Sequence, residues 1–247
     1  MLGIIDWGIG GVSIHKLIKE RLGDVSTIYV SDTGATPYGK MSRRELVDRL
    51  NAVIKFLKSK GVTHLVIGCN AASTAIEHLD AQGLKIIGMI ESGVSASLKQ
   101  RPKRLGLIGG RRTVLSGVYR NAFSDKGVAV TQRIAQPLSG LIESGKTDSD
   151  KLKAESKRIL DPIKNCSHVL LACTHYPAIS DTLSKFLAPT TKLIDPADEL
   201  VSKVAKWNLP AGSDHQFFTT GSAAEMRTAA KNAWQVNVKN VKQITIS

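Results

Sequence analysis

Two stretches that end alike set the strongest limit on how this chain can fold. His168-Val169-Leu170-Leu171-Ala172 runs apolar up to Cys173, and Thr174, His175, Tyr176 and Pro177 come next. Thr63-His64-Leu65-Val66-Ile67-Gly68 does the same up to Cys69 and Asn70, so the two cysteines stand 104 positions apart. A short apolar run with no charge predicts a strand buried on both faces, as in a parallel sheet. In an open α/β sheet, the residues just past such a strand lie in the crevice at the carboxyl edge, where ligands bind. Cys69 and Cys173 are therefore both predicted to face a ligand site.

The repeat is wider than one strand. Leu2-Gly3-Ile4-Ile5 is echoed by Leu105-Gly106-Leu107-Ile108, and each copy leads into a glycine pair, Gly10-Gly11 or Gly109-Gly110. Chance matching of common apolar residues competes with this reading, but a near-constant offset at two separate places argues against it. A spacing of about a hundred residues is too long for a solenoid and suits two similar domains. The expectation is an α/β fold: two pseudo-symmetric domains with mainly parallel sheets flanked by helices, and the site in the cleft between them. The first domain is placed at 1–97 plus 208–247, with the C-terminal tail returning to it, and the second at 98–207.

Locally, alternating strands and helices support the parallel arrangement. Strands are predicted at 2–5, 26–30, 64–68, 85–90, 105–108, 128–134 and 168–172, with a last one near 241–246. Ser42-Arg43-Arg44-Glu45 has the form of a capping box ahead of apolar residues at helical spacing, so a helix is expected from there to Gly61. Other helices are predicted over 13–22, from near Ser73, from Thr113 as N-cap, and over 149–164. The stretch 136–143, with its Pro and Gly, reads as irregular.

Composition narrows the class. With 42% hydrophobic and 22% charged residues the chain is ordinary globular material. No apolar run approaches the roughly 18 residues of a membrane span. The N-terminus meets Asp6 at once, unlike a signal peptide. Three cysteines cannot all pair within one chain, and two end predicted strands, so a cytoplasmic protein with reduced thiols is expected. The formal charge of +13 would attract nucleic acid or acidic molecules. Aromatic residues make up only 5% and do not interleave with the basic groups, so a base-stacking surface is not indicated.

Two thiols at equivalent strand ends of a duplicated fold suit one reaction class above others. Inverting a carbon acid needs a base on one face and an acid on the other, with roles exchanged in reverse. A thiol can serve as both once its pKa is tuned. Asp6, at the end of the first strand, and His175, two residues past Cys173, are placed to set the protonation of those thiols. Asn70, Thr174 and Thr33 offer neutral hydrogen bonds to a substrate. The plain alternative is that a buried cysteine simply packs, and Cys166 is read that way.

Other patterns are weaker. No spacing supports a closed zinc site. Gly8-Ile9-Gly10-Gly11 lacks the third glycine of the dinucleotide fingerprint, because Ser13 stands there. Gly109-Gly110-Arg111 would suit an anion or a plain turn. His15, His64, His78 and His168 read as surface or flanking residues.

The motifs taken together resemble the glutamate racemases of the aspartate/glutamate racemase superfamily. Ile5-Asp6-Trp7-Gly8-Ile9-Gly10-Gly11, Asp32-Thr33, Pro37-Tyr38-Gly39, Cys69-Asn70 and Cys173-Thr174-His175-Tyr176-Pro177 occur in the family's order, with Thr113, Glu143 and Phe217-Phe218-Thr219-Thr220-Gly221 alongside. The resemblance spans the chain. It implies a cofactor-independent amino-acid racemase interconverting L- and D-glutamate for peptidoglycan synthesis, with no metal. Cys69 and Cys173 would act on opposite faces of the α-carbon, assisted by Asp6, His175 and Glu143. Pro37, Tyr38, Gly39, Asn70, Thr113 and Thr174 would hold the substrate. Family habit also points to a homodimer.

Two positions depart from the family pattern. Trp7 stands where the family usually has Ser, and Ala71 where it usually has Thr. Each exchange removes a hydroxyl near the substrate, and such a loss costs about 1–3 kcal/mol. This leaves two further readings: a superfamily racemase or epimerase for another amino acid, with Trp7 and Ala71 shaping its pocket, or a basic, non-catalytic binding homologue.

Overall fold

The computed structural model describes residues 1–246. In the first half the order is β1 (Leu2–Asp6), α1 (Gly10–Leu22), β2 (Thr27–Ser31), α2 (Arg43–Ser59), β3 (His64–Ile67), α3 (Asn70–Ser73), β4 (Lys85–Gly88) and α4 (Met89–Lys99). The second half begins with β5 (Leu105–Gly109), α5 (Arg111–Leu115), α6 (Val118–Ser124), β6 (Val130–Ile134), α7 (Gln136–Glu143) and α8 (Asp150–Leu160). It continues with β7 (His168–Ala172), α9 (Ser180–Ser184), β8 (Lys192–Ile194) and α10 (Pro196–Ala205). A tail of β9 (His215–Thr219), α11 (Ala223–Trp234) and β10 (Val241–Gln243) closes the chain.

The two sheets repeat one topology. The first runs β10-β9-β2-β1-β3-β4 and the second β6-β5-β7-β8, every named pair parallel. Leu2 pairs with Thr27 on one side and His64 on the other; Leu105 pairs with Val130 and His168 in the same way. His64 and His168 thus mark equivalent strand starts. The tail adds β9 and β10 to the β2 edge of the first sheet. In each sheet the strand order reverses beside the central strand, β1 or β5. The crevice outside β1 and β3, and outside β5 and β7, is where an α/β sheet holds its ligand.

Helices cover both faces of both sheets, giving four apolar clusters. Two helices cross between the halves. Ala197, Leu200, Val201 and Val204 of α10, which comes after β8, are buried with Leu2, Ile4 and Ile14 of the first half. Ile90, Val94, Ala96 and Leu98 of α4, which comes after β4, pack against Leu107, Tyr119 and Leu170 of the second. Since α4 and α10 hold equivalent places in the repeat, each half lends the other its last helix.

Several local expectations are corrected. The stretch 136–143 is a helix, α7, because Pro137 falls in its first turn, where proline's fixed φ and missing N–H cost nothing. Thr113 is not the N-cap of α5: Gly110 is, and the helix starts two residues before Thr113. The helix expected from near Ser73 is a single turn that begins at Asn70, with a 3₁₀ turn after it at Ile76–His78. The helix after Ser149 ends at Leu160 and continues as a 3₁₀ turn. His15, read as a surface residue, is buried under the ring edges of His215 and Phe217, and burial chiefly pushes its pKa down to about 4.

One ion pair fixes the loop after β2. Asp32, fully buried, takes Arg49 Nε and Nη2 at 2.9 and 2.6 Å, the Tyr38 hydroxyl at 2.7 Å and the Thr220 hydroxyl at 2.8 Å. The reciprocal capping box of Ser42 and Glu45 starts the helix that presents Arg49. Removing one partner of a buried pair leaves the other charge uncompensated, at about 3–5 kcal/mol. Arg49→Met should therefore lower stability by about 3 kcal/mol in urea unfolding, whereas Ser42→Ala should cost only about 1 kcal/mol.

Candidate active site

The carboxyl ends of β1, β3 and β7, with α5 and α7, enclose a cavity of about 360 Å³. Asp6 ends β1. Cys69 comes just after β3 in extended backbone and serves as N-cap of α3, and Cys173 comes just after β7. All candidate residues but two line this cavity: Asp6, Trp7, Pro37, Tyr38, Gly39, Cys69, Asn70, Ala71, Thr113, Cys173, Thr174 and His175. One exception, Glu143, touches it through His175. Thr33 lies outside it and meets the Thr219 hydroxyl at 3.3 Å. Sequence reasoning missed Gln136, Ser139 and Gly140, because the helix carrying them reads as irregular chain. It also passed over Lys40, while Gly110 and Arg111 of the turn read as an anion site or a plain turn do line the cavity.

The Cys173 side is built as a relay. Cys173 Sγ lies 3.8 Å from His175 Nδ1, and His175 Nε2 lies 2.5 Å from Glu143 Oε2. The same carboxylate oxygen accepts the backbone N–H of Ile9 at 3.2 Å. Burial pushes the His175 pKa down, but the hydrogen bonds to Cys173 and Glu143 outweigh it and hold the ring well above the ordinary histidine value. The imidazolium therefore stands within hydrogen-bonding reach of the Cys173 sulfur.

On the other side the polarity is reversed. Asp6 takes the Thr174 hydroxyl at 2.8 Å and the Trp7 N–H at 2.7 Å. Its pKa is raised, chiefly by burial, against the opposing pull of His175 and these hydrogen bonds. Burial, then the negative field of Asp6, hold the Cys69 thiol well above its ordinary pKa. One thiol is thus kept protonated while the other faces a cation. Two acid/base groups in contrasting environments are what proton abstraction and return require.

The tight fit explains the glycines after Asp6. A Cβ on Gly8 would run into the Glu143 carboxylate, and one on Gly10 into Thr174 and Asp6. These glycines admit the second half's side chains to the end of β1, a role unrelated to a dinucleotide turn.

The rest of the wall supplies donors. Asn70 Oδ1 accepts the Tyr119 hydroxyl at 2.8 Å, while Asn70 Nδ2 and the Thr113 hydroxyl are buried with no partner. Unpaired buried donors facing a cavity suit a ligand with acceptor oxygens. Trp7 gives its indole N–H to Ala35 O at 3.0 Å, so it shows the cavity an apolar ring. Among the described residues, no group of three or more His, Cys, Asp and Glu is placed to hold a metal ion, and no helix is long and apolar enough to cross a membrane.

Comparison with known proteins settles the family. The model of the Asp/Glu/Hydantoin racemase family matches residues 2–204. The chain belongs to this family. A glutamate racemase of Lactobacillus johnsonii is 32% identical over 238 residues, covering 90% of this chain and 89% of that protein. One from Aquifex aeolicus is 35% identical over 190 residues, 75% of each. Among solved structures, a glutamate racemase isoform of Bacillus anthracis superposes with a TM-score of 0.90 at 25% identity, covering 100% of this chain and 97% of its own. The Francisella tularensis glutamate racemase in complex with D-glutamate gives 0.89 at 25% identity, with coverage of 100% and 97%. This racemase-family chain is accordingly an isomerase, with the α/β architecture expected of it.

The buried carboxylate yields a test. Because the Asp6 pKa is raised above 3.8 on folding, its ionisation costs more in the folded than in the unfolded state. The stability it contributes is complete below that value and is lost as pH rises through the folded pKa. Asn keeps the shape and can still meet Trp7 N–H and Thr174. The melting temperature of Asp6→Asn relative to the parent should therefore climb between pH 4 and pH 7, read by differential scanning calorimetry.

Proposed function

We propose that this chain is a cofactor-independent glutamate racemase in which Cys69 and Cys173 exchange a proton with opposite faces of the substrate α-carbon. The observation that carries this reading is the pairing of Cys69 beside Asp6 with Cys173 beside His175 across one cavity. The relatives named above, which are glutamate racemases, support glutamate as substrate. We further infer that the product feeds peptidoglycan synthesis, and that the enzyme works in the cytoplasm, where thiols stay reduced.

In one direction the Cys173 thiolate, held by His175, takes the α-proton, and the electron pair of the Cα–H bond remains on carbon. Cys69 returns its thiol proton to the opposite face. The enzyme is left with the proton moved from Cys69 to Cys173, which is the form that accepts the other enantiomer. Asp6 is a positioning residue on that side, its negative field keeping the proton on Cys69 until it is delivered to carbon. Glu143 is a positioning residue, holding the His175 ring and its charge. The unpaired donors of Asn70 and Thr113 are the natural partners of a substrate carboxylate.

Loss of the α-proton signal in D₂O, monitored by NMR beside circular dichroism, tests the reading directly. Glutamate should exchange and invert. Exchange only on another amino acid would make Trp7 and Ala71 specificity residues for that substrate, and silence on every amino acid would sink the enzyme reading.

Cys69→Ser and Cys173→Ser should each lower racemisation by about 10²–10⁴-fold or more, since each removes one of the two acid/base groups. Either variant retaining full two-way turnover would end the two-base account.

Glu143→Gln tests the relay through pH. Removing the carboxylate takes away a hydrogen bond that raises the His175 pKa. The imidazolium is lost as pH rises through that pKa, so the alkaline limb of kcat/KM should move to lower pH. A limb that stays in place would disconnect Glu143 from the chemistry.

A further inference from the structure

The contacts that tie the halves together at the cavity obey the internal repeat, with one informative difference. From the end of β1, Asp6 takes the hydroxyl of Thr174, just past β7, and Ile9 N–H reaches Glu143 in the segment after β6. The equivalent reach from the end of β5 is made by Arg112 on α5. Its Nε donates to Thr74 Oγ1 at 3.0 Å, past β3, and its Nη1 donates to Met41 O at 2.7 Å, in the segment after β2. The first set converges on the His175–Glu143 relay. The second converges on the Cys69 side, where no histidine or glutamate stands.

Both acceptors lead straight to the cavity wall. Thr74 passes its own hydroxyl to Ala71 O at 2.7 Å, and Ala71 lines the cavity beside Cys69 and Asn70. Met41 closes the loop whose Pro37, Tyr38, Gly39 and Lys40 form the facing wall, tightened by a turn from Lys40 N–H to Pro37 O at 2.7 Å. One guanidinium from the second half therefore holds two loops of the first. Its planar fork serves two acceptors at once, which a lysine ammonium on a flexible stem does not do in the same geometry.

We propose that Arg112 is a positioning residue that clamps the 37–41 loop and the Cys69–Thr74 turn onto the second half, so that the Cys69 wall is formed before substrate arrives. The proposal rests on the racemase reading of the cavity. Binding energy would otherwise be spent on ordering these loops, which lowers affinity ahead of chemistry.

The test compares Arg112→Ala and Arg112→Lys with the parent by glutamate kinetics, thermal unfolding and amide hydrogen exchange. Both variants should raise KM about tenfold with kcat changed less than about threefold, the pattern of lost ground-state binding. Exchange should quicken in 37–41 and 70–74, and millimolar guanidinium should bring the KM of the Ala variant back towards the parent. Unchanged KM and exchange would overturn the clamp. So would a rise in KM that merely tracks a fall in melting temperature and is not rescued by guanidinium. The exchange readout needs no substrate: a parent inactive on glutamate would sink the racemase reading and leave the clamp to stand or fall on exchange alone.

Discussion

Everything at the cavity depends on keeping a carboxylate where water cannot reach it. Asp6 is buried at the end of β1, and both of its oxygens are spoken for, one by its neighbour's N–H and one by Thr174 from the other half. Taking a carboxylate out of water is costly unless it is hydrogen-bonded, and here the bonds come from both sides of the seam. That single group links the halves, helps hold the Cys69 thiol above its ordinary pKa and faces the positive field of His175. Gly8 and Gly10 are small for the same reason, since any side chain would keep the two halves from closing on it.

The duplicated topology makes the site, but the duplicates are not used alike. Equivalent strand ends deliver Cys69 and Cys173, while their surroundings differ: one thiol is buried beside an acid, the other lies beside a histidine that is itself backed by an acid. Symmetry supplies two thiols to one cavity. Asymmetry gives them different neighbours, a carboxyl beside Cys69 and an imidazole beside Cys173.

Much of this was legible in the sequence, and the reasons are physical. A charge-free apolar run ending in a cysteine marks a strand and its crevice end at once, so β3, β7 and the two thiols were found together. The repeat offset told which strands correspond, and the pairing of Leu2 with His64 and Leu105 with His168 agrees with it. Contacts between residues far apart in the chain stayed hidden. Nothing local distinguishes α7 from a turn, because a proline in a first turn and a proline in a loop look the same along the sequence. Arg112 likewise reads as one more basic surface residue; its two acceptors, Met41 and Thr74, are brought to it only by the closing of the cleft. Trp7 stood out as a departure, but that its indole N–H is spent on Ala35 O required the fold.

The exchange of α4 and α10 between the halves carries a consequence for how the chain comes together. On one face of each sheet the half's own helices are completed by a borrowed one: α10, from beyond β8, joins α1 and α11 over the first sheet, and α4, from before β5, joins α6 over the second. A partly folded state with only one half in order would leave the apolar ground under the borrowed helix open to water. Each half thus gains stability from the folding of the other, and the arrangement resembles an intertwined dimer whose subunits have been joined into one polypeptide.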